Sequence, residues 1–273
     1  MIAVVAVVVA GATGAFFSDT ETSTGNTFTA GAIDLGVDNH SYYNGVLNPG
    51  TTWRVDYDLS DEIPRQFFNF LDLKPGDWGE DTISLHVNNN DSYLCADVTL
   101  TSNNDNSSTE PELDENGEIA DDSQNSWDGE LANSIKWYWW ADDGDNVYEE
   151  DEDLLPGSGY AFPNATGPYS STVALADSQT NVWGDQDQTG APSPLPGDSV
   201  RFIAKAWCFG DTVMEAYYQD DGNNQSGPDD RPVTCSGVNE SNITQTDGLT
   251  MDVSFRAVQS RNNDGFLCDD RDE

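Results

Sequence analysis

Apolar and polar residues alternate in a series of short segments along this chain, which is the pattern of half-buried β-strands. Clusters of Gly, Pro, Asn and Asp separate the segments, and no long stretch shows the 3.6-residue period of an amphipathic helix. The pattern therefore predicts an all-β protein, an antiparallel sandwich of the jelly-roll kind. The predicted strands are "TFTAGAIDLGVD", "TTWRVDYDL", "DTISLHVNN", "YLCADVTLTS", "SIKWYWWAD", "STVALAD", "SVRFIAKAWCFG" and "LTMDVSFRAVQ".

Two local features add detail to this prediction. The strands "DTISLHVNN" and "YLCADVTLTS" follow each other around the turn sequence "NNNDS", and we expect them to pair. The segment "DEIPRQFFNFLDL" is expected to contain a short helical turn. Helix is thus a minor component of the expected fold.

Three long polar segments interrupt the strands, and we interpret them as exposed loops inserted into one sandwich. They are Ser102–Asp128, Asp177–Asp198 and residues 219–232. The chain then divides into an apolar N-terminal segment of residues 1–15, a short segment of residues 16–27 and one sandwich domain of residues 28–273.

The N-terminus begins with an apolar run, residues 2–10, and small residues follow it through Ala15. This is typical of the hydrophobic region and cleavage zone of a signal peptide, although no basic region precedes it. The run is shorter than the roughly 20 apolar residues of a membrane-spanning helix. If the run is retained instead, its Val and Ile content favours a buried strand. Cleavage would leave Phe16 and Phe17 close to a new N-terminus.

The charge of the chain is extreme, with 50 acidic against 10 basic residues and a formal net charge of -40. Self-repulsion at this charge opposes a compact state at low ionic strength, and molar salt screens it within about 3 Å. Aromatic residues make up 11% of the chain, which argues against a disordered acidic protein. We therefore expect a folded protein with an acidic surface, of the kind found in halophiles. Nucleic acid is excluded as a partner, because nothing here could neutralise its phosphates.

The cysteines and the glycosylation sequons indicate an exported protein. Four cysteines allow three pairings, and we favour Cys208 with Cys235 and Cys95 with Cys268. No C-x-x-C spacing suggests a zinc site. Candidate N-glycosylation sites are Asn90, Asn106, Asn164, Asn224, Asn239 and Asn242.

The densest acidic cluster, "ADDGDNVYEEDED", is a candidate calcium site, because an Asp-rich loop with a central Gly can present several oxygens. Its candidate ligands are Asp142, Asp143, Asp145, Asn146 and Glu149. The sequence does not match the EF-hand pattern, and a solvated acidic loop is the alternative. No other cofactor is expected.

The aromatic run "WYWW", Trp137 to Trp140, has two interpretations. It could form a platform for carbohydrate. Alternatively, alternate members fill the core of the sandwich while the others lie under a loop.

Catalytic motifs are missing from the sequence. The chain has two histidines, His40 and His86, and no H-E-x-x-H, G-x-S-x-G, Walker or GxGxxG motif. A zinc protease needs three good ligands and a general base, and the sequence offers no such set. We therefore predict a protein that is not an enzyme.

Three motifs, in order, resemble the TasA/camelysin family of secreted fibre-forming proteins. They are "AFFSDTETSTGNTFTAGAIDL", "LKPGDWGEDTISLHVNNNDSYL" and "LTMDVSFRAVQSRNN". We identify the chain as resembling a haloarchaeal-type member of that family. The long acidic insertions and the four cysteines depart from the family pattern, so the details of those regions do not carry over.

The resemblance implies a jelly-roll subunit that polymerises outside the cell by donor-strand complementation. In that mode the N-terminal segment of one subunit adds a strand to the open sheet of the next. The matching residues here are Ala15, Phe16, Phe17, Ser18 and Asp19, and the stretch "SDTETSTGN", residues 18–26, would act as a flexible spacer. Two aromatics that are exposed on a monomer would be buried in the neighbour, at about 25 cal/mol per Å².

These observations predict a subunit of an extracellular filament or pilus that serves a biofilm matrix, adhesion or cell–cell contact. Its partner would be itself, head to tail, together with a minor pilin or an anchor subunit. Two alternatives stay open at this point. One is a monomeric cell-surface module that binds glycan or calcium, and the other is a camelysin-like secreted protease.

Overall fold

A computed structural model describes residues 18–22, 33–56, 65–115, 118, 120–121, 124–160, 162, 165–218 and 233–269 of the chain. The strands are β1 (Ser18–Thr22), β2 (Asp34–Tyr43), β3 (Val46–Leu47), β4 (Trp53–Asp56), β5 (Trp78–Asn88), β6 (Ser92–Asp105), β7 (Ile135–Asp142), β8 (Gly159–Tyr160), β9 (Tyr169–Ala176), β10 (Ser199–Phe209), β11 (Asp211–Val213), β12 (Thr234–Ser236) and β13 (Asp247–Gln259). The helices are α1 (Glu110–Leu113), α2 (Leu131–Ser134) and a 3₁₀ turn (Asn242–Thr244).

The strands form two large antiparallel sheets and a two-stranded ribbon. The four-stranded sheet has the order β1-β13-β6-β9, and the larger sheet has the order β3-β2-β5-β10-β7-β8, with β4 also paired to β2. Strands β11 and β12 make the ribbon. The predicted all-β antiparallel class is confirmed, whereas the jelly-roll topology stays a prediction.

The two large sheets share one hydrophobic core because alternate residues of each strand point to it. In β10 these are Ile203 and Trp207, and in β13 they are Val253 and Phe255. Phe67, from the segment between β4 and β5, packs edge-on against Phe255 with ring centroids 6.1 Å apart. Burial of this apolar surface at about 25 cal/mol per Å² is the main stabilising term of the fold.

The predicted pairing of "DTISLHVNN" with "YLCADVTLTS" is wrong. These segments are β5 and β6, and they lie in different sheets: β5 pairs with β2 and β10, whereas β6 pairs with β13 and β9. The chain leaves β5 at Asn89, whose φ of 68° turns the backbone out of the first sheet. Both strands are buried on both faces over much of their length, so each requires a covering sheet rather than only a hairpin partner.

Two further details differ from the expectations. Residues 65–73, the described part of "DEIPRQFFNFLDL", contain no helix. They instead place Phe67, Phe68 and Phe70 against the core. The segment Ser102–Asp128 is also less exposed than a loop, because β6 continues to Asp105 and Glu112 of α1 is completely buried.

Two disulfides link the sheets to the surface segments that follow them. Cys95 of β6 pairs with Cys268, and Cys208 of β10 pairs with Cys235 of β12. This is the pairing that the sequence favoured among the three possible ones. Among the described residues, no helix is long and apolar enough to cross a membrane.

Candidate functional site

The outer edge of β13 is the place where the N-terminal segment meets the domain. Strand β13 pairs on its inner side with β6 from Asp247 to Gln259. On its other side it pairs antiparallel with β1, from Ser18 opposite Val258 to Thr22 opposite Ser254. The four-stranded sheet therefore ends in a strand that comes from the N-terminal segment.

Of the five residues expected in the donor strand, the structure describes two. Ser18 and Asp19 lie in β1 and pair with Val258 and Ala257 of the same chain. Ala15, Phe16 and Phe17 lie outside the described residues. The structure thus pairs residues 18–22 with β13 within one chain. The expectation that these residues belong to a flexible spacer is wrong, because they form a strand there.

The core side of β13 explains why this strand presents a rigid edge. Val253, Phe255 and Ala257 are at most 2% exposed, and all three belong to the core between the sheets. Val258, which points to the opposite face beside β1, is 3% exposed. A strand held on its inner side by a ladder and on one face by the core is preorganised to accept another strand.

The acidic loop after β7 brings three of its five predicted calcium ligands together. Carboxylate oxygens of Asp142, Asp143 and Asp145 lie within 4.8 Å of one another. Asp142 Oδ2 accepts hydrogen bonds from the backbone N–H groups of Gly144, at 2.9 Å, and Asn146, at 3.2 Å. Asn146 has φ of 61°, and its buried side-chain Oδ1 and Nδ2 have no hydrogen-bond partner among the described residues. Glu149 is buried outside the group of three.

Burial governs the ionisation of this loop. It raises the pKa of Asp142 to about 7, and the neighbouring Asp145 and Asp143 add to the effect while the backbone N–H groups oppose it. It also raises the pKa of Glu152 to about 9, with Asp142 as a further cause. The geometry suits oxygen ligation of a cation, and calcium binding by this loop stays a prediction.

The tryptophans of "WYWW" fill space inside the protein. Trp137 and Trp139 belong to the core between the sheets, and Trp140 is fully buried on the other face, where Tyr148 covers it at 5.7 Å between ring centroids. The interpretation as core residues is confirmed. Trp137 and Trp139 also line a cavity of about 540 Å³, so a ligand of these rings would have to enter it rather than rest on an exposed platform.

The two histidines are separate from the acidic loop after β7. His86 Nε2 lies 2.9 Å from Asp38 Oδ2 on the neighbouring strand, and His40 is exposed on β2. Among the described residues, neither histidine belongs to a group of three potential metal ligands. Among the described residues, the histidines therefore do not form part of a zinc-protease ligand set.

The glycosylation candidates differ in their accessibility. Asn106, Asn239 and Asn242 are exposed, and Asn90 is half-buried beside the turn after β5. The Asn106 amide donates a hydrogen bond to the Thr246 carbonyl at 2.8 Å. Asn164 and Asn224 lie outside the described residues.

Sequence reasoning missed a second group of acids, Asp105, Glu112 and Asp247, whose carboxylate oxygens also lie within 4.8 Å of one another. Asp105 and Glu112 lie within Ser102–Asp128, the segment that was interpreted as an exposed polar loop. The third is about 140 residues further along the chain, so no local motif could reveal the group.

Comparison with known proteins gives one match. No curated protein matches the chain. The model of the camelysin metallo-endopeptidase family matches residues 1–125, a range that contains two of the three motifs and the strands β1 to β6. This match confirms the resemblance to the camelysin/TasA family over residues 1–125, which are slightly less than half of the chain.

Proposed function

We propose that this protein is the subunit of an extracellular filament, in which the N-terminal segment of one copy adds to the β13 edge of the next. The observation that carries the proposal is the pairing of β1 with the outer edge of β13. The family match over residues 1–125 favours a secreted or surface-associated protein, and the two disulfides are consistent with an extracellular one.

The position of β1 in the chain makes it suitable for exchange between copies. It is the first described element, and residues 23–32 separate it from the rest of the domain. A connector of ten residues can span up to about 33–36 Å when it is extended. The same five register pairs could therefore form within one copy or between two.

The outer edge of β13 is more stable when it is paired with another strand than when it is unpaired. Without β1, those backbone N–H and C=O groups of Ser254–Val258 that point away from β6 would be left without ladder partners. Each restored hydrogen bond contributes about 0.5–1.5 kcal/mol, and apolar side chains of the added segment contribute by burial. Because such a contact joins different surfaces of two copies, it continues head to tail into a filament instead of closing a dimer.

The test uses two single-cysteine variants of the mature chain, Thr22→Cys and Ser254→Cys, which change residues that face each other in the register. All four native cysteines are in disulfides, so each variant carries one free thiol. The two variants are mixed before assembly in molar salt and then oxidised. We expect cross-linked dimers in filaments, because only a strand that crosses between copies can join these two thiols.

Matched controls separate strand exchange from random oxidation. Thr250 is exposed on the same face of β13 but lies outside the β1 register, so a mixture of Thr22→Cys and Thr250→Cys should give few dimers. Deletion of residues 15–24 should abolish filaments in electron micrographs and leave a soluble domain. A double variant, Thr22→Cys/Ser254→Cys, carries both thiols in one chain. The proposal would be overturned if a disulfide forms within this double variant while the mixed single variants give no dimers. Filaments of normal length after the deletion would also overturn it.

The matching family is named after a metallo-endopeptidase, so protease activity needs a test of its own. The proposal of a structural subunit expects no chelator-sensitive hydrolysis of casein by the folded protein in molar salt. Hydrolysis that disappears with chelator and returns with zinc would favour the enzyme instead.

A further inference from the structure

A group of buried carboxylates lies where β6 ends and β13 begins. Asp105 is the last residue of β6 and faces Asp247, the first residue of β13, in the antiparallel register. Glu112 of α1 points at the same place, so that oxygens of all three carboxylates lie within 4.8 Å of one another. Asp105 is 1% exposed and Glu112 is 0% exposed, whereas Asp247 is half-buried at the margin of the group.

Each of these side chains is held by the surrounding backbone through one oxygen. Asp105 Oδ1 accepts a hydrogen bond from the Ser107 N–H at 3.1 Å, and Glu112 Oε2 accepts one from the Thr109 N–H at 2.9 Å. Asp247 Oδ2 accepts from the N–H groups of Glu130 and Leu131, at 2.6 and 2.7 Å, at the start of α2. These bonds orient the carboxylates toward a common point.

Three carboxylate oxygens of the group lack partners, whereas Asp105 Oδ2 accepts a hydrogen bond from the Ser108 hydroxyl at 3.4 Å. Glu112 Oε1, Asp247 Oδ1 and Glu130 Oε2 are buried and have no hydrogen bond within the described part of the chain. A buried carboxylate oxygen without a partner costs several kcal/mol unless a proton or a cation compensates it. The unpartnered oxygen of Glu112, on a side chain that is completely buried, is an independent indication that a ligand belongs here.

Among the described residues, the charges that raise the pKa values of this group are those of other acids. None of the ion pairs between described residues involves Asp105, Glu112, Glu130 or Asp247. Burial, reinforced by the neighbouring acids including Glu118, raises the pKa of Glu130 to about 8. Burial and the charges of Asp105 and Glu112 raise the pKa of Asp247 to about 7, and burial also raises the pKa of Glu112.

We propose that Asp105, Glu112 and Asp247, with Glu130 beside them, form a binding site for calcium. The ligands are all carboxylate oxygens, which suit a hard cation, whereas zinc and copper sites use His and Cys. Calcium accepts six to eight oxygens at flexible angles, and magnesium demands a nearly ideal octahedron and retains its water. Carboxylates from four separate segments match the calcium requirement better.

The site would link the start of β13 to three elements that precede it by more than 100 residues in the chain. It joins the end of β6, α1, the start of α2 and the start of β13. Calcium bound here would stabilise the native state, because the unfolded chain cannot hold these residues together. The inference does not depend on filament formation, since it concerns one folded copy.

The test is calorimetric titration of the EGTA-treated mature protein with CaCl₂ in molar KCl, combined with thermal unfolding. We expect saturable binding and a thermal midpoint that rises with calcium. Glu112→Gln and Asp247→Asn should each weaken binding at least tenfold, and MgCl₂ should bind at least tenfold more weakly than calcium. Glu110→Gln changes an exposed acid of the same helix and should bind calcium like the wild type.

The variants also distinguish this site from the acidic loop after β7. Removal of the unpartnered charge in Glu112→Gln should leave the calcium-free protein folded, which circular dichroism verifies. Binding that is lost in Asp142→Asn but unchanged in Glu112→Gln would overturn the assignment and favour the loop. A wild-type protein that shows neither heat nor a thermal shift with millimolar calcium, or that binds magnesium equally well, would also overturn it.

Discussion

Lys205 and Asp81 form an ion pair inside the hydrophobic core, where each side chain is 1% exposed. The two residues face each other in the register of β10 and β5. The Lys205 Nζ also lies 5.2 Å from the centre of the Trp137 ring and 5.5 Å from that of Phe68, and the Asn39 amide lies 3.4 Å from Asp81. The pair is therefore enclosed by aromatic rings and an amide rather than by water.

We expect Lys205→Met to lower the free energy of unfolding by about 3–5 kcal/mol, because Asp81 would remain as an unpaired buried charge. The double variant Lys205→Met/Asp81→Leu should recover most of this loss, since it removes both charges and keeps the apolar volume. Urea unfolding of the three proteins measures both values. A single variant that is no less stable than the double variant would contradict the explanation.

The pH dependence of stability should report on Glu80, which is 1% exposed on β5. Burial raises the pKa of Glu80 to about 9, and the Val233 N–H, 3.2 Å from its Oε1, opposes the shift only in part. Between the unfolded pKa near 4.5 and this value, the folded state holds a proton that the unfolded state has lost. Stability from this group is therefore fully present below about pH 4.5 and falls as the pH rises toward 9.

Glu80→Gln should make the pH slope of the unfolding free energy less negative between pH 5 and 9. The change is at most about 1.4 kcal/mol per pH unit. The exposed Glu215→Gln serves as the control and should leave the slope as it is. An unchanged slope in Glu80→Gln would show that Glu80 is ionised in the folded protein.

The two disulfides should differ in their contribution to stability. Cys208 and Cys235 are 27 residues apart, whereas Cys95 and Cys268 are 173 residues apart. The loop-entropy relation gives about 3–4 kcal/mol for the short loop and about 5 kcal/mol for the long one. We expect Cys95→Ala/Cys268→Ala to lower the urea midpoint more than Cys208→Ala/Cys235→Ala does, and the reverse order would contradict a mainly entropic effect.

Salt should stabilise the folded protein strongly. With a net charge of -40, repulsion between acidic groups weakens as the Debye length falls from about 10 Å at 0.1 M to about 3 Å at 1 M. We expect the thermal midpoint to rise steadily between 0.1 and 2 M KCl. Sucrose at matched osmolality does not screen charge, so it should raise the thermal midpoint less than KCl does. An equal rise with sucrose and with KCl would indicate solvent exclusion instead of screening.

The pattern of residues along the chain was enough to predict most of the long strands and the all-β class of the fold. Alternation of apolar and polar residues is a local property of a strand, so β5, β7, β9, β10 and β13 could be predicted from their own residues. The same alternation explains why Trp137 and Trp139 point to the core. The motifs of the N-terminal 125 residues also pointed to the family that the comparison found.

Only the tertiary structure decided which elements meet. It placed β5 and β6 in different sheets, gave β1 the outer edge of β13, and put Lys205 opposite Asp81. It also brought Asp105 and Glu112 together with Asp247, although the sequence interpretation had assigned the first two to a solvated loop. The physical reason is that a charged residue carries no local signal of its burial, because burial depends on what distant segments cover it. Sheet pairing likewise depends on which apolar faces can be covered together, and this is a property of the whole chain.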